Sequence, residues 1–372
     1  MSFIVLKSIT CIKKYKFYEI FIFDVTRQYE LFEKKGKMMI KASIIIPTLN
    51  EENYIALCIE SILSSDIDKN IIEVLIIDGL SSDKTIEIVK KYQEKYSFIK
   101  LFTNEKMIIP TAMNIGIQNA TGQYIIRIDA HSIYPKDYFT KLLYWSKKLD
   151  ADNVGGVCMT DVKNSNPKTE SIKAVFSHRL GVGSGDYRNE INEPKESNSI
   201  PFGCFKTETL LKFGVFDERL ERGEDLEINR RILDNGGKVY LVPDVSFTYL
   251  AKESLQALMK KSYETGKWIV FSAYLTKNIK ALHLRHFIPL IFVLSLIIPF
   301  LFSLVYSKFY IFSLLSLTIY SVIIFFISFK MKRKNNSFFY LVLTFMTLHF
   351  FYGIGSIVGI GKSIYRLYER MI

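Results

Sequence analysis

Polar groups recur just past the ends of short apolar runs. IIIP (44–47) is followed by Thr48, Asn50 and Glu51, EVLIID ends on Asp78, and YIIRID ends on Asp129, with Ala130 and His131 after it. Asp129 and His131 are two apart, so in extended backbone both side chains project from the same side. A carboxylate and a neutral imidazole are suitable ligands for Mn2+ or Mg2+. Such a ligand would lose affinity below about pH 6, as the imidazole protonates. Taken alone, Asp129 reads as a turn residue and His131 as an exposed loop histidine; three polar strand ends together favour a shared site. A second feature is the adjacent pair Glu224–Asp225 at the start of a helical pattern. There the helix macrodipole favours ionised carboxylates, which suits a base and equally suits simple helix stabilisation.

These groups need a frame. Residues 41–47, 73–78, 99–103 and 124–129 read as strands, and 50–64, 84–96, 111–120 and 135–149 as helices, with Asp83 able to cap the second. Strands alternating with helices of this length imply an α/β fold with a mostly parallel sheet and helices on both faces. Ligands then bind beyond the carboxyl ends of the strands, where the polar groups lie. After Ala151 the alternation fades. The stretch 163–199 reads as a mobile Gly- and Asn-rich loop. Apolar order returns at 202–205 and 210–216, a helix is expected over 224–235, and a strand over 238–242.

The net charge of +12 is placed to suit a membrane rather than nucleic acid. Three segments, 287–306, 309–329 and 338–360, reach the roughly 20 apolar residues that a bilayer core requires. Lys277, Lys280 and Arg285 precede the first, and Lys330, Lys332, Arg333 and Lys334 separate the second from the third. Both clusters fall on the same side, which the positive-inside rule assigns to the cytoplasm. The third segment, with Gly355 and Gly359 in small-xxx-small spacing, suits close helix packing and is readable as spanning or re-entrant. Residues 251–286 read as an amphipathic linker, either lying in the headgroup plane or simply packed. The scattered Cys11, Cys58, Cys158 and Cys204 give no zinc or disulfide signal. Residues 1–38 lack the order of a signal peptide and read as an extension, with Met38 or Met39 as alternative starts.

Five motifs in order, IIIPTLNEENYI, IIDGLSSDKT, PTAMNIGIQNATGQYIIRIDAHS, GVFDERLERGEDLEINRRI and GGKVYLVPD, make residues 39–250 resemble a family 2 glycosyltransferase of the GT-A (nucleotide-diphospho-sugar transferase) fold. The D-A-H triplet and the C-terminal apolar segments look like the succinoglycan-synthesis glucosyltransferase branch. The resemblance implies inverting transfer of a hexose from a UDP-sugar to a lipid-linked or saccharide acceptor in cell-surface polysaccharide assembly, alongside other assembly enzymes. It implies that Pro47, Thr48, Glu51, Asp78 and Asp129 bind the nucleotide, that Asp129 and His131 hold the metal, and that Asp225 is the base with Glu224 assisting. Gly203 would approach the donor sugar and Trp268 the sugar or acceptor. Asn114 and Arg127 read equally as pyrophosphate contacts or braces, and Arg230 and Arg231 as phosphate ligands or partners of acids. His131 departs from the usual final acid of the triplet. The Q-x-x-R-W motif of processive synthases is E-T-G-K-W here, and Lys cannot reproduce the bidentate fork of Arg. Single-sugar addition is therefore expected over a processive synthase, and both over a non-catalytic nucleotide-binding membrane protein.

Overall fold

Ile44 and Ile46 belong to one apolar cluster and Ile45 to the other, on opposite faces of a strand buried on both sides. That is why the run carries no polar alternation. The computed structural model describes residues 41–181, 186–188, 191–251, 253–277 and 284–369. The expected extension, Cys11, Lys280 and His283 lie outside them.

The strands are β1 (Ala42–Thr48), β2 (Ile72–Asp78), β3 (Ile99–Thr103), β4 (Tyr124–Arg127), β5 (Ser132–Ile133), β6 (Asn153–Asp161), β7 (Lys195–Glu196), β8 (Gly203–Lys206) and β9 (Val239–Leu250). They form one sheet in the order β3-β2-β1-β4-β8-β6-β9-β5, with β7 on β9. The half β3-β2-β1-β4 is parallel, and in register Thr48 lies beside Asp78 and Ile45 beside Arg127. The other half is mixed: β8 runs antiparallel to β4 and β6, while β6 and β9 are parallel.

The helices are α1 (Ile55–Leu63), α2 (Thr85–Lys95), α3 (Ile109–Asn119), α4 (Tyr138–Leu149), α5 (Pro167–Ser177), α6 (Thr207–Phe213), α7 (Glu224–Asp234), α8 (Leu255–Leu275), α9 (Leu284–Ser303), α10 (Tyr310–Met331) and α11 (Phe338–Glu369). Two differences from the sequence expectation stand out. The supposed loop 163–199 contains α5, begun by a reciprocal capping box between Asn166 and Thr169 with Pro167 in the first turn. Its buried side includes Ile172, Val175 and Phe176, an apolar face spaced for a helix. The strand expected to end at Val242 continues to Leu250, past a register shift opposite Gly155 and Val157, where Asp244 takes φ 54.

Among the described residues three helices are long and apolar enough to cross a membrane: within α9, within α10 with its preceding turn, and α11. α11 is continuous over 32 residues, about 48 Å at 1.5 Å per residue. Its glycines let it touch α8 backbone to backbone. A Cβ on Gly355 would lie 2.0 Å from the Tyr263 carbonyl oxygen, and one on Gly359 2.4 Å from that of Lys267. From the other side, Gly266 stands in the same relation to Tyr352. So α8 is a packed helix, joined tightly to the last apolar helix.

Candidate active site

The carboxyl ends of the parallel strands open into a cleft of about 1000 Å³, closed on its far side by α8. Pro47, Thr48, Glu51, Arg127, Asp129, His131, Glu224, Asp225 and Trp268 all line it.

At the first corner, Thr48 donates from its hydroxyl to Asp78 at 3.1 Å. Asp78 also accepts the backbone N–H of Ser81 at 2.8 Å and its hydroxyl at 2.6 Å. Asp78 is buried just beneath the cleft rather than lining it. Asp83 accepts the N–H and hydroxyl of Thr85 at the start of α2 and the N–H of Glu52, so it organises the turn.

At the second corner, His131 Nδ1 lies 3.1 Å from both Asp129 Oδ1 and Glu51 Oε1. Glu51 was expected with Asp78, and the structure places it beside the histidine instead. Burial opposes charge on the ring, but Asp129, Tyr249 and Glu51 outweigh it and hold the imidazolium up to about 9. A divalent cation held here by Asp129 and His131 would have to displace that proton, which would move the onset expected near pH 6 upward. The donors suit such an ion. Ligands at about 2.1 Å from one centre and at right angles stand about 3 Å apart, close to the spacing observed. Among the described residues no cluster of three or more His, Cys, Asp or Glu forms a complete metal cage. Mg2+ takes most of its ligands from water and substrate phosphates, so Asp129 and His131 would hold such an ion only together with those.

The third corner rests on Arg127. This residue precedes Asp129 by two and therefore shares its side of the extended chain. Its Nη2 donates to Glu224 at 2.8 Å and its Nη1 to Asp225, while the guanidinium lies 5.6 Å from the Phe202 ring centre. Arg127 thus braces the two acids of α7 instead of projecting free into the cleft. Asp225 keeps 22% of its side-chain surface open to the cleft. Burial pushes its carboxyl up to about 7 against the pull of Arg127, and the neighbouring Glu224 charge adds to the rise. A carboxyl poised there is suited to general-base work at neutral pH.

The softer candidates sort themselves. Asn114 braces Phe216 and Glu218, Arg230 pairs with Asp234, and Arg231 with Glu227. Gly203 lies behind the cleft wall formed by Pro201 and Phe202. Its φ is +123°, and a Cβ there would sit 2.3 Å from Asn153 Oδ1, so packing already requires glycine. Trp268 is 5% exposed, and its indole N–H has no partner among the described residues. Glu264 and Lys267 of the E-T-G-K-W stretch pair with each other at 2.5 Å. Sequence reasoning left Arg127 undecided and overlooked Arg188, Arg222, Tyr249 and Lys261, which also line the cleft. For Arg127 the signal was a lone charge inside an apolar strand, two residues before an acid.

The sequence model of Glycosyl transferase family 2 matches residues 43–219. The chain is 34% identical over 231 residues, 60% of its length, to a Methanococcus voltae protein, dolichyl N-acetyl-alpha-D-glucosaminyl phosphate 3-beta-D-2,3-diacetamido-2,3-dideoxy-beta-D-glucuronosyltransferase, covering 71% of it. It is 29% identical over 60% of its length to the succinoglycan biosynthesis protein ExoA of Rhizobium meliloti, covering 67% of that protein. In structure it resembles the mannosyltransferase PcManGT from Pyrobaculum calidifontis, solved with GDP-Man and Mn2+. The TM-score is 0.56 at 15% identity, covering 91% of this chain and 95% of that one. The architecture is accordingly GT-A-like. The chain is a glycosyltransferase and belongs to glycosyl transferase family 2.

Proposed function

We propose that this enzyme is a membrane-anchored, inverting hexosyltransferase that moves one sugar from a UDP-sugar to a lipid-linked saccharide on the cytoplasmic side of the membrane. The observation that carries the reading is the single cleft, which brings the Asp129–His131 corner and Asp225 together under a wall joined to an apolar helix. The M. voltae relative is named for a dolichyl-phosphate-linked acceptor, and the basic segment 330–334 between α10 and α11 supports the cytoplasmic side.

In this reading Thr48 and Asp78 recognise the base; Asp78, a buried acceptor already oriented by Ser81 and Thr48, suits the N–H edge of uracil. Asp129 and His131 would hold Mn2+ or Mg2+, which supplies charge neutralisation to the departing diphosphate. Asp225 accepts the proton of the acceptor hydroxyl as its oxygen attacks the anomeric carbon. The bond from that carbon to the diphosphate oxygen breaks, the electron pair leaves with the nucleoside diphosphate, and a single displacement inverts the centre. Arg127 and Glu224 position the base. Residues 39–250 then form the catalytic domain, 251–286 the linker and 287–372 the membrane anchor.

The test uses the full chain in lipid nanodiscs with Mn2+ and a panel of nucleotide sugars, measuring nucleotide release with and without a lipid-linked saccharide. Release stimulated by the acceptor, with one sugar added per acceptor, supports the reading. A ladder of products would establish a processive synthase instead, and nucleotide binding without any release would remove the catalytic reading.

A further inference from the structure

Three cations lining the cleft, Lys261, Arg188 and Arg222, stand without a neutralising carboxylate among the described residues. Lys261, on α8, donates to the Tyr249 hydroxyl and lies 4.6 Å from the Tyr249 ring centre and 5.4 Å from that of Phe176. Arg188 donates to Thr160 Oγ1 at 2.6 Å and covers the Tyr187 ring, and its Nε is buried without a hydrogen-bond partner. Arg222 precedes Gly223 at the mouth of α7. All three line the cleft. Among the described residues no acid lies within ion-pair reach of them, whereas Arg127 and Lys267 in the same cleft are both paired. Burial and the repulsion of Arg188 and Arg222 hold the Lys261 ammonium down to about 8, with Asp129 only partly offsetting them. A desolvated ammonium such as that of Lys261, without a counter-charge, costs stability until an anion arrives.

Their location narrows the anion. Phe176, under the Lys261 ammonium, follows Val175, and Val175 packs in one apolar cluster with Ile324 of α10 and Leu341 and Phe345 of α11. Lys261 therefore rests on α5, the helix that packs against α11. Tyr249 also meets the Asp129–His131 corner, its ring 5.0 Å from that of His131. Along α8, Lys261 and Trp268 are seven residues apart, two turns or about 10 Å. Further on, Ser272 faces the start of α7: a Cβ on Gly223 would lie 3.8 Å from its Oγ. The helix thus runs from Lys261, past an unpartnered indole N–H, to the start of α7, where Arg222 precedes the acids.

We infer that Arg188, Arg222 and Lys261 form a phosphate subsite for the acceptor. The phosphate of a prenyl-phosphate-linked saccharide docks there, and its sugar lies along Trp268 toward Asp225. This rests on the lipid-linked acceptor of the reading above.

The full chain in phosphatidylcholine nanodiscs is titrated with farnesyl phosphate, with farnesol, and with UDP plus Mn2+. Farnesyl phosphate should bind while UDP and Mn2+ are saturating, and about tenfold or more tighter than farnesol. K261M and R188Q should each weaken it by about tenfold or more, K261R should keep most of the affinity, and UDP affinity should stay within about twofold. K261M should melt no lower than the parent, because it removes an uncompensated cation. The inference is overturned if UDP displaces farnesyl phosphate, or if K261M weakens UDP, since the cations would then serve the donor diphosphate. It is also overturned if K261M lowers the melting temperature and leaves farnesyl phosphate binding unchanged. If UDP with Mn2+ does not bind but the farnesyl phosphate pattern holds, the nucleotide-sugar reading falls and the phosphate subsite stands.

Discussion

The sheet wall and the helical wall of the cleft carry charge in opposite conditions. On the sheet side Arg127 answers Glu224 and Asp225, and Asp129 and Glu51 answer His131. On the α8 side Lys261 faces Arg188 and Arg222. A paired buried ion holds its place without substrate, whereas a wall of unpaired cations is completed only by what binds. The contrast separates groups set before substrate arrives from groups that wait for it.

The largest expected effect is on chemistry. D225N should lower turnover by about a thousandfold and leave UDP binding intact, measured by single-turnover kinetics and calorimetry. Retained turnover would reduce the sheet-side acids to scaffolding. R127M should cost about 3–5 kcal/mol of stability in chemical denaturation, because the buried Glu224 and the partly exposed Asp225 lose their shared counter-ion. Equal losses in R127M and K261M would erase the distinction between the walls. D78N should weaken UDP by about ten- to a hundredfold, since a charged hydrogen bond of about 1.5–3 kcal/mol is lost. At the helical wall, G355A should cost about 1–3 kcal/mol by forcing a methyl group against the Tyr263 carbonyl. G361A, with nothing within 4 Å of its new methyl, should be neutral or slightly stabilising.

A further effect concerns pH. Asp225 must be deprotonated to act, so kcat/KM should rise about tenfold per unit up to about pH 7 and then level off. Its folded value lies above the unfolded value of about 3.9, so the native state keeps a proton that the unfolded chain releases. That contribution is whole below about pH 4 and is lost as pH rises through about 7. D225N should accordingly gain melting temperature relative to the parent between pH 5 and pH 8. An unchanged difference would indicate that Arg127 holds Asp225 ionised throughout.

The parallel half of the sheet was legible because each strand is buried on both faces and bounded by Pro, Gly or a polar end. The second half was less so. β6 carries Gly155 and Gly156 where an apolar pattern would be sought, and β9 continues through Pro243, which sequence rules treat as a stop. α5 was hidden by its polar surroundings, although Asn166–Pro167 signals a helix start. The polar strand ends identified the residues that meet at the cleft, yet Glu51 turned toward His131 because Tyr54 and the first turn of α1 set its position. Lys261 could not be assigned from α8 alone, since its partners Tyr249, Arg188 and Phe176 come from separate segments of the chain.

The contacts between Gly355 and Tyr263, and between Gly359 and Lys267, also restrict how this chain can change in length. One residue inserted into α11 before them would advance the helix by about 1.5 Å and turn the glycine stripe by about 100° away from α8. Bulky neighbours would then meet the carbonyls that now lie flush with the glycines. Length variation along α11 is therefore tolerated beyond Gly359, where the helix no longer touches α8 through glycine, and in the turns outside the apolar helices. The seating of α8 on the last apolar helix is thus fixed by the register of its glycines.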